Sequence, residues 1–172
     1  MIVWLNGAFG AGKTTTAHAL TRLLPRARVF DPEQVGFLLR HVLPEPPGDF
    51  QHLPPWRPLV TETAVRVLAE VGGVLVAPQT VLVREYLREI FDGFAAARVP
   101  VRHVLLHADE PELRRRIDGD VAESARARAW RLEHVAAYRE ALPWLRTSAD
   151  VVDTVGRAPD RVAAEVARTL PR

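Results

Sequence analysis

The stretch GAFGAGKT, residues 7–14, restricts this chain more than any other. It fits G-x-x-x-x-G-K-[ST] without mismatch and lies between an apolar run, MIVWL, and a helical pattern, TTTAHALTRLL. A strand, a glycine-rich loop and a helix in that order are the context a phosphate-binding loop (P-loop) requires. Glycine lets the backbone turn tightly and bring its N–H groups against phosphate oxygens. The helix that follows points its positive end at the same anion. Gly7, Ala8, Phe9, Gly10, Ala11, Gly12, Lys13, Thr14 and Thr15 are therefore expected to bind a nucleoside triphosphate, ATP. Lys13 would reach the β- and γ-phosphates, and the Thr14 hydroxyl would ligate Mg²⁺. Lys13 is also the only lysine among 23 basic residues, the rest being arginine. A compact ammonium fits between phosphates inside a glycine turn where a broad guanidinium would crowd it.

The same alternation continues along the chain. ARVF, VLVAP, VPVRHVLLHA and ADVVDT read as four further strands, with helical patterns between them, and APDRVAAEVARTL closes the chain as an amphipathic helix. Short continuous apolar runs are strands buried on both faces. Strand–helix alternation predicts an α/β three-layer sandwich of the P-loop NTPase, nucleotide-kinase-like kind: a five-stranded parallel sheet, order 2-3-1-4-5, with helices on both faces. Residues 1–172 read as one domain. A Pro-rich insert over about 36–58 would face the substrate, neither helical nor an inner strand over 44–58. A polar, mobile lid is expected over about 116–130.

Composition removes other classes. With no cysteine there is no disulfide framework, thiolate metal site or cysteine nucleophile. The six histidines show no supported metal spacing. Net charge is only +2, and no basic stripe interleaved with aromatics points to nucleic acid. No run approaches a membrane span, and the start of the chain lacks the pattern of a signal peptide, so a cytoplasmic location is expected. A guanine-reading N-K-x-D element needs a second lysine, which is absent. The serines, Ser124 and Ser148, lie in no nucleophile-elbow pattern. VLLHADE at 104–110 superficially resembles the acidic strand end of an AAA-type ATPase, but Asp109 or Glu110 reads better as the cap of the helix in EPELRRRI. A small phosphotransferase remains.

Such an enzyme needs a group to orient or deprotonate the acceptor hydroxyl. Asp31, at the end of the second strand, is the candidate base and also a helix N-cap, with Glu33 beside it. Arg116 and Arg128 are the lid arginines expected to meet charge on the transferring phosphoryl group. Arg157, after the fifth strand, is assigned to the nucleotide. Three stretches converge on the acceptor side: GFLLRH, DFQHLPPWR and APQT, the last supplying Gln79 and Thr80. Trp56 is a candidate stacking surface and Arg57 a candidate oxygen ligand. Trp4, Trp130 and Trp144 are expected to pack in the interior.

The sequence resembles the tunicamycin resistance proteins, a P-loop family related to small-molecule kinases. IVWLNGAFGAGKTTTA, DPEQVGFLLR, DFQ…P.WR and VLVAPQT match in order, and AWRLEHVAAYREAL is a weaker echo. The resemblance implies ATP binding and a role against a nucleoside antibiotic, with uracil and sugars as the recognised parts. It carries over the P-loop residues, Asp31, Phe37, Arg40, Gln51, Trp56 and Arg57. The expected partner is a small-molecule acceptor such as tunicamycin; a second copy of the chain stays open as another. Two alternatives stand beside a kinase of that acceptor: an ATP-dependent protein that only binds the antibiotic, and a kinase of an ordinary metabolite.

Overall fold

The computed structural model describes residues 1–43, 48–120 and 124–171. Its centre is β1 (Ile2–Asn6), whose residues are all buried. β1 pairs in parallel with β3 (Val74–Pro78) on one side and β4 (Val101–His107) on the other. β2 (Ala27–Val29) adds outside β3, and β5 (Asp150–Asp153) outside β4, giving the order β2-β3-β1-β4-β5. The expected topology is therefore present. Leu5 registers with Pro78 and with Val104, so the loop leaving β1 emerges between the ends of its two neighbours.

Period-2 alternation divides β1 between two cores. Val3 and Leu5 join the core beneath α1 (Lys13–Leu23) and α7 (Pro159–Thr169); Ile2 and Trp4 join the other, with α2 (Glu33–Val42), α3 (Trp56–Val71) and α4 (Arg84–Ala96). α7 buries Val162, Ala163 and Val166, the apolar stripe its sequence shows; full burial of each valine contributes about 1.5–3 kcal/mol. α1 buries Thr16, Ala17, Ala19 and Leu20, while Leu23 is exposed.

Three segments depart from expectation. In the Pro-rich stretch, residues 44–47 lie outside the described residues. Phe50–His52 form a 3₁₀ turn, and α3 begins at Trp56 with Pro58 inside its first turn. First-turn N–H groups have no intrahelical partner, so proline costs no helical hydrogen bond there. In the lid, residues 121–123 lie outside the described residues. α5 (Glu110–Asp118) runs into its start, and α6 (Ala125–Ser148) takes up its end. Ser124, whose Oγ accepts from the Ala127 N–H at 3.2 Å, caps α6, so Arg126 and Arg128 are helical. At α2, Pro32 rather than Asp31 is the boundary residue. Asp109 caps α5, as expected, accepting from the Glu112 N–H at 2.9 Å.

Candidate active site

The P-loop is pinned at its start by Asn6. Its side-chain oxygen accepts from the N–H groups of Gly7 and Val81, at 2.8 and 3.0 Å, and its amide donates to the Val81 carbonyl at 3.0 Å. The Thr80 hydroxyl donates to the Gly7 carbonyl at 2.8 Å. Gly7 has φ +146°, and a Cβ there would stand 2.5 Å from the Leu106 carbonyl oxygen of β4, so no side chain fits. Gly12, at φ +87°, starts α1 in the left-handed region, with no side-chain cap and no acid in the first turn. The uncapped N–H groups of α1 therefore present the helix's positive end to an anion.

A cavity of about 830 Å³ opens over this end. Phe9 to Thr16 line it without interruption, and it extends past Thr154, Gly156 and Arg157 to the start of α7. Gly7 and Ala8 are not part of its wall; their carbonyls accept from Lys13 Nζ, at 3.2 and 2.8 Å. Burial of that ammonium pulls its pKa down to about 7; the Glu33 charge opposes the shift and that of Arg131 reinforces it. Arg116 reaches across the loop. Its guanidinium donates to the Gly10 carbonyl (3.2 Å), the Thr154 hydroxyl (3.1 Å) and the Thr154 carbonyl (2.7 Å), while Glu112 holds its Nε at 2.7 Å. Lys13, Arg115, Arg116, Arg131 and Arg157 all border the cavity. A glycine cradle, an uncapped helix and this cationic rim fit a polyphosphate. Thr14 carries an exposed hydroxyl on the cavity wall. Among the described residues no cluster of three His, Cys, Asp or Glu could hold a metal alone.

A second cavity of about 400 Å³ adjoins the first, and Phe9, Glu33 and Arg131 line both. Phe37, Arg40, Gln51 and Gln79 are on its wall, where the sequence had placed the acceptor. Gln51 and Gln79 both donate to the Thr80 carbonyl, at 2.9 and 3.2 Å; Thr80 itself borders the larger cavity.

Four assignments move. Trp56 is 0% exposed and donates its indole N–H to the Pro32 carbonyl at 3.1 Å. It is a core plug that ties α3 to the start of α2, and it lines neither cavity. Arg57 is spent on structure: it pairs with Glu89 at 2.5 Å, donates to the Gln51 carbonyl at 2.7 Å and covers the Tyr86 ring at 4.2 Å. Arg128 donates to the Asp120 carbonyl at 3.2 Å and borders neither cavity; Arg131, three residues on, borders both. Asp31 turns its carboxylate onto its own helix, accepting from the Glu33 N–H at 3.0 Å and the Gln34 amide at 3.1 Å. Glu33 is the carboxylate at the junction. Burial raises its pKa, and the Asp31 charge adds to that, against the pull of Lys13 and Arg131.

Trp130, expected in the interior, is 38% exposed on the smaller cavity, next to Phe9 at 4.9 Å between ring centroids. Carrying the helical pattern of AWRLEHVAAYREAL back through Arg126, in place of a lid to about residue 130, would have found it. The 126/130 and 127/131 pairs then fall on one face.

A family model described as an AAA domain (AAA_33) matches residues 2–143. No curated protein sequence matches the chain. Among solved structures, the chain is similar to the tunicamycin resistance protein of Deinococcus radiodurans, with 28% identity, TM-score 0.73, and coverage of 98% of this chain and 94% of that one. It shares its fold with the APS kinase of Mycobacterium tuberculosis in complex with AMPPNP and APS (20% identity, TM-score 0.66, 97% and 95% covered). The same holds for the shikimate kinase of Acinetobacter baumannii in complex with shikimate (19% identity, TM-score 0.57, 98% and 91% covered). Among the described residues no helix is long and apolar enough to cross a membrane. With the P-loop, the sheet order and the family match agreeing over most of its length, the chain belongs to the AAA domain family of P-loop proteins.

Proposed function

We propose that this protein transfers the γ-phosphoryl group of ATP to a hydroxyl of a small nucleoside-like acceptor, tunicamycin or a relative of it. The observation that carries this reading is the shared wall. The polyphosphate-fitting cavity and the smaller cavity meet at Phe9, Glu33 and Arg131, so a donor in one and an acceptor in the other would face each other across one carboxylate and one guanidinium. The likeness to a tunicamycin resistance protein supports the acceptor, and the fold shared with small-molecule kinases supports the reaction.

In this reading the α1 N–H groups and Lys13 hold the β- and γ-phosphates. Lys13 exchanges its bonds to the Gly7 and Ala8 carbonyls for phosphate oxygens. Glu33 accepts the acceptor's hydroxyl hydrogen, orients the oxygen for in-line attack and takes the proton as the new O–P bond forms and ADP leaves. A carboxyl raised by burial is a better base near neutral pH than an exposed one. Arg116 and Arg131 meet the charge on the moving group. Thr14, with phosphate oxygens, would hold Mg²⁺, which neutralises charge on the bridging oxygens when bound.

The deciding experiment incubates the protein with ATP·Mg²⁺ and tunicamycin and follows the drug by mass spectrometry. A phosphate increment on the drug, with ADP formed in equal amount, is expected. Unmodified drug recovered from protein that binds ATP would overturn transfer to it; retention of that drug on the protein only when ATP is present would favour a binding protein instead.

A further inference from the structure

Thr154, the residue after β5, is 2% exposed and borders the larger cavity. Its backbone N–H and its hydroxyl both donate to the His107 carbonyl at the end of β4, at 2.8 and 3.0 Å. A carbonyl only accepts, so the hydroxyl hydrogen is committed to His107 and the lone pairs of the oxygen are left for a donor. That donor is Arg116 of α5. Four of the five N–H groups of its guanidinium have partners: Nε–H meets Glu112, the two of Nη1 meet the Gly10 carbonyl and the Thr154 hydroxyl, and one of Nη2 meets the Thr154 carbonyl. Glu112, the one charged partner, also takes Arg115 at 2.7 and 2.8 Å, so the two arginines keep a net positive charge. Gly10 lies equally close to α5. A Cβ there would stand 3.2 Å from Ile117 Cγ1 and 3.3 Å from the Leu113 carbonyl oxygen. The P-loop is thus packed against the helix that carries Arg116, and the guanidinium spans the contact.

We infer that Thr154 is a positioning residue: its hydroxyl, oriented by the His107 carbonyl, fixes the Arg116 guanidinium over the P-loop and leaves one Nη2 N–H and the positive charge for a phosphate oxygen. The inference rests on the reading of the larger cavity as the polyphosphate's. Thr154 acts through Arg116 and needs no contact with the reacting atoms. A cation already held in place by the fold costs no reorganisation when charge develops beside it, which is what makes fixed donors effective. Neutral oxygens suit that task. They hold the guanidinium without cancelling its charge, as a second carboxylate would. Valine at this position keeps the branched shape and lacks the hydroxyl, while the backbone N–H still satisfies the His107 carbonyl.

The test is a double-mutant cycle read on AMPPNP·Mg²⁺ affinity by calorimetry. Thr154→Val should weaken binding roughly tenfold, and Thr154→Ser, which keeps the hydroxyl, should stay within about twofold of wild type. In an Arg116→Ala background Thr154→Val should add nothing, because the hydroxyl then has no cation to hold. A residue that only supported the fold would cost as much in either background. Nitrogen-edited NMR of the wild type decides the matter if Thr154→Val does not fold. A guanidinium bonded through four N–H groups rotates slowly, so the Arg116 Nη protons, identified by their loss in Arg116→Lys, should be resolved. Wild-type affinity in Thr154→Val, an equal loss in the Arg116→Ala background, a Thr154→Ser loss as large as that of Thr154→Val, or rotationally averaged Nη protons overturns the inference. Wild-type protein that does not bind AMPPNP·Mg²⁺ overturns it together with the reading of the cavity. Failure of phosphoryl transfer is separable. Coupling of Thr154 to Arg116 with no acceptor phosphorylated refutes transfer and keeps the positioning role; transfer without that coupling refutes the role and keeps transfer.

Discussion

Phe9 to Thr16 line the larger cavity as one unbroken run, whereas the smaller cavity draws its wall from Phe9, α2, the 3₁₀ turn, Gln79 after β3 and the start of α6. The first is a backbone device: its geometry is set by glycine dihedrals, by one asparagine and by the end of a helix. The second is a side-chain device, assembled from residues that range from Phe9 to Arg131. A contiguous loop can be read as a pattern because its function depends on which side chains are missing. A discontiguous pocket depends on which of several similar side chains the fold turns inward, and neighbours in sequence then take different roles. Asp31 faces its own helix while Glu33 faces the site; Trp56 fills the core while Trp130 meets solvent.

The largest effect is expected at the backbone device. Lys13→Arg preserves charge but not size, and turnover should fall on the order of 10³-fold, measured by ADP release under saturating acceptor. Near-normal turnover would show that the loop tolerates a guanidinium and would weaken the contrast at its strongest point.

Next in size is the carboxylate pair. Glu33→Gln should lower kcat by about 10²-fold, with ATP affinity by calorimetry little changed. Asp31→Asn should cost less, acting through the helix start it holds. The reverse order would restore Asp31 as the base and would mean that α2 reorients when both ligands are bound.

Trp56→Ala tests the structural half of the tryptophan contrast. It removes a fully buried ring and strands the Pro32 carbonyl, so thermal or denaturant unfolding should show a loss of about 3–5 kcal/mol. Full stability together with lost acceptor binding would return Trp56 to the substrate. Among the arginines, Arg131→Ala should reduce transfer several-fold more than Arg128→Ala, as read from kcat/KM at constant ATP; equal effects would remove the distinction between the two helix faces.

The smallest effect concerns protons. With a pKa of about 7 in the free protein, Lys13 is largely neutral at about pH 8.5, and a bound polyphosphate favours its ammonium. Nucleotide binding should therefore take up close to one proton there and almost none at about pH 6, so affinity falls as pH rises above 7. Calorimetry in buffers of different ionisation enthalpy measures this. No uptake at the higher pH would show that Lys13 stays charged in the free protein.

The sequence by itself determined the sheet, its strand order and the P-loop. Apolar runs such as IVWLN and LVAP have few other places to go than a parallel sheet covered on both faces, and a glycine pattern limits its own backbone. It also singled out Glu33, Phe37, Arg40, Gln51 and Gln79, which the fold brings onto the wall of the smaller cavity, and Arg116, which the fold sets across the P-loop. Only the tertiary structure decided between residues of one type. Arg128 and Arg131 differ by less than one helical turn, and which of them faces the site depends on where Ser124 starts α6. That start fixes the rotation of every residue after it, including the one that turns Trp130 out of the core and onto the cavity.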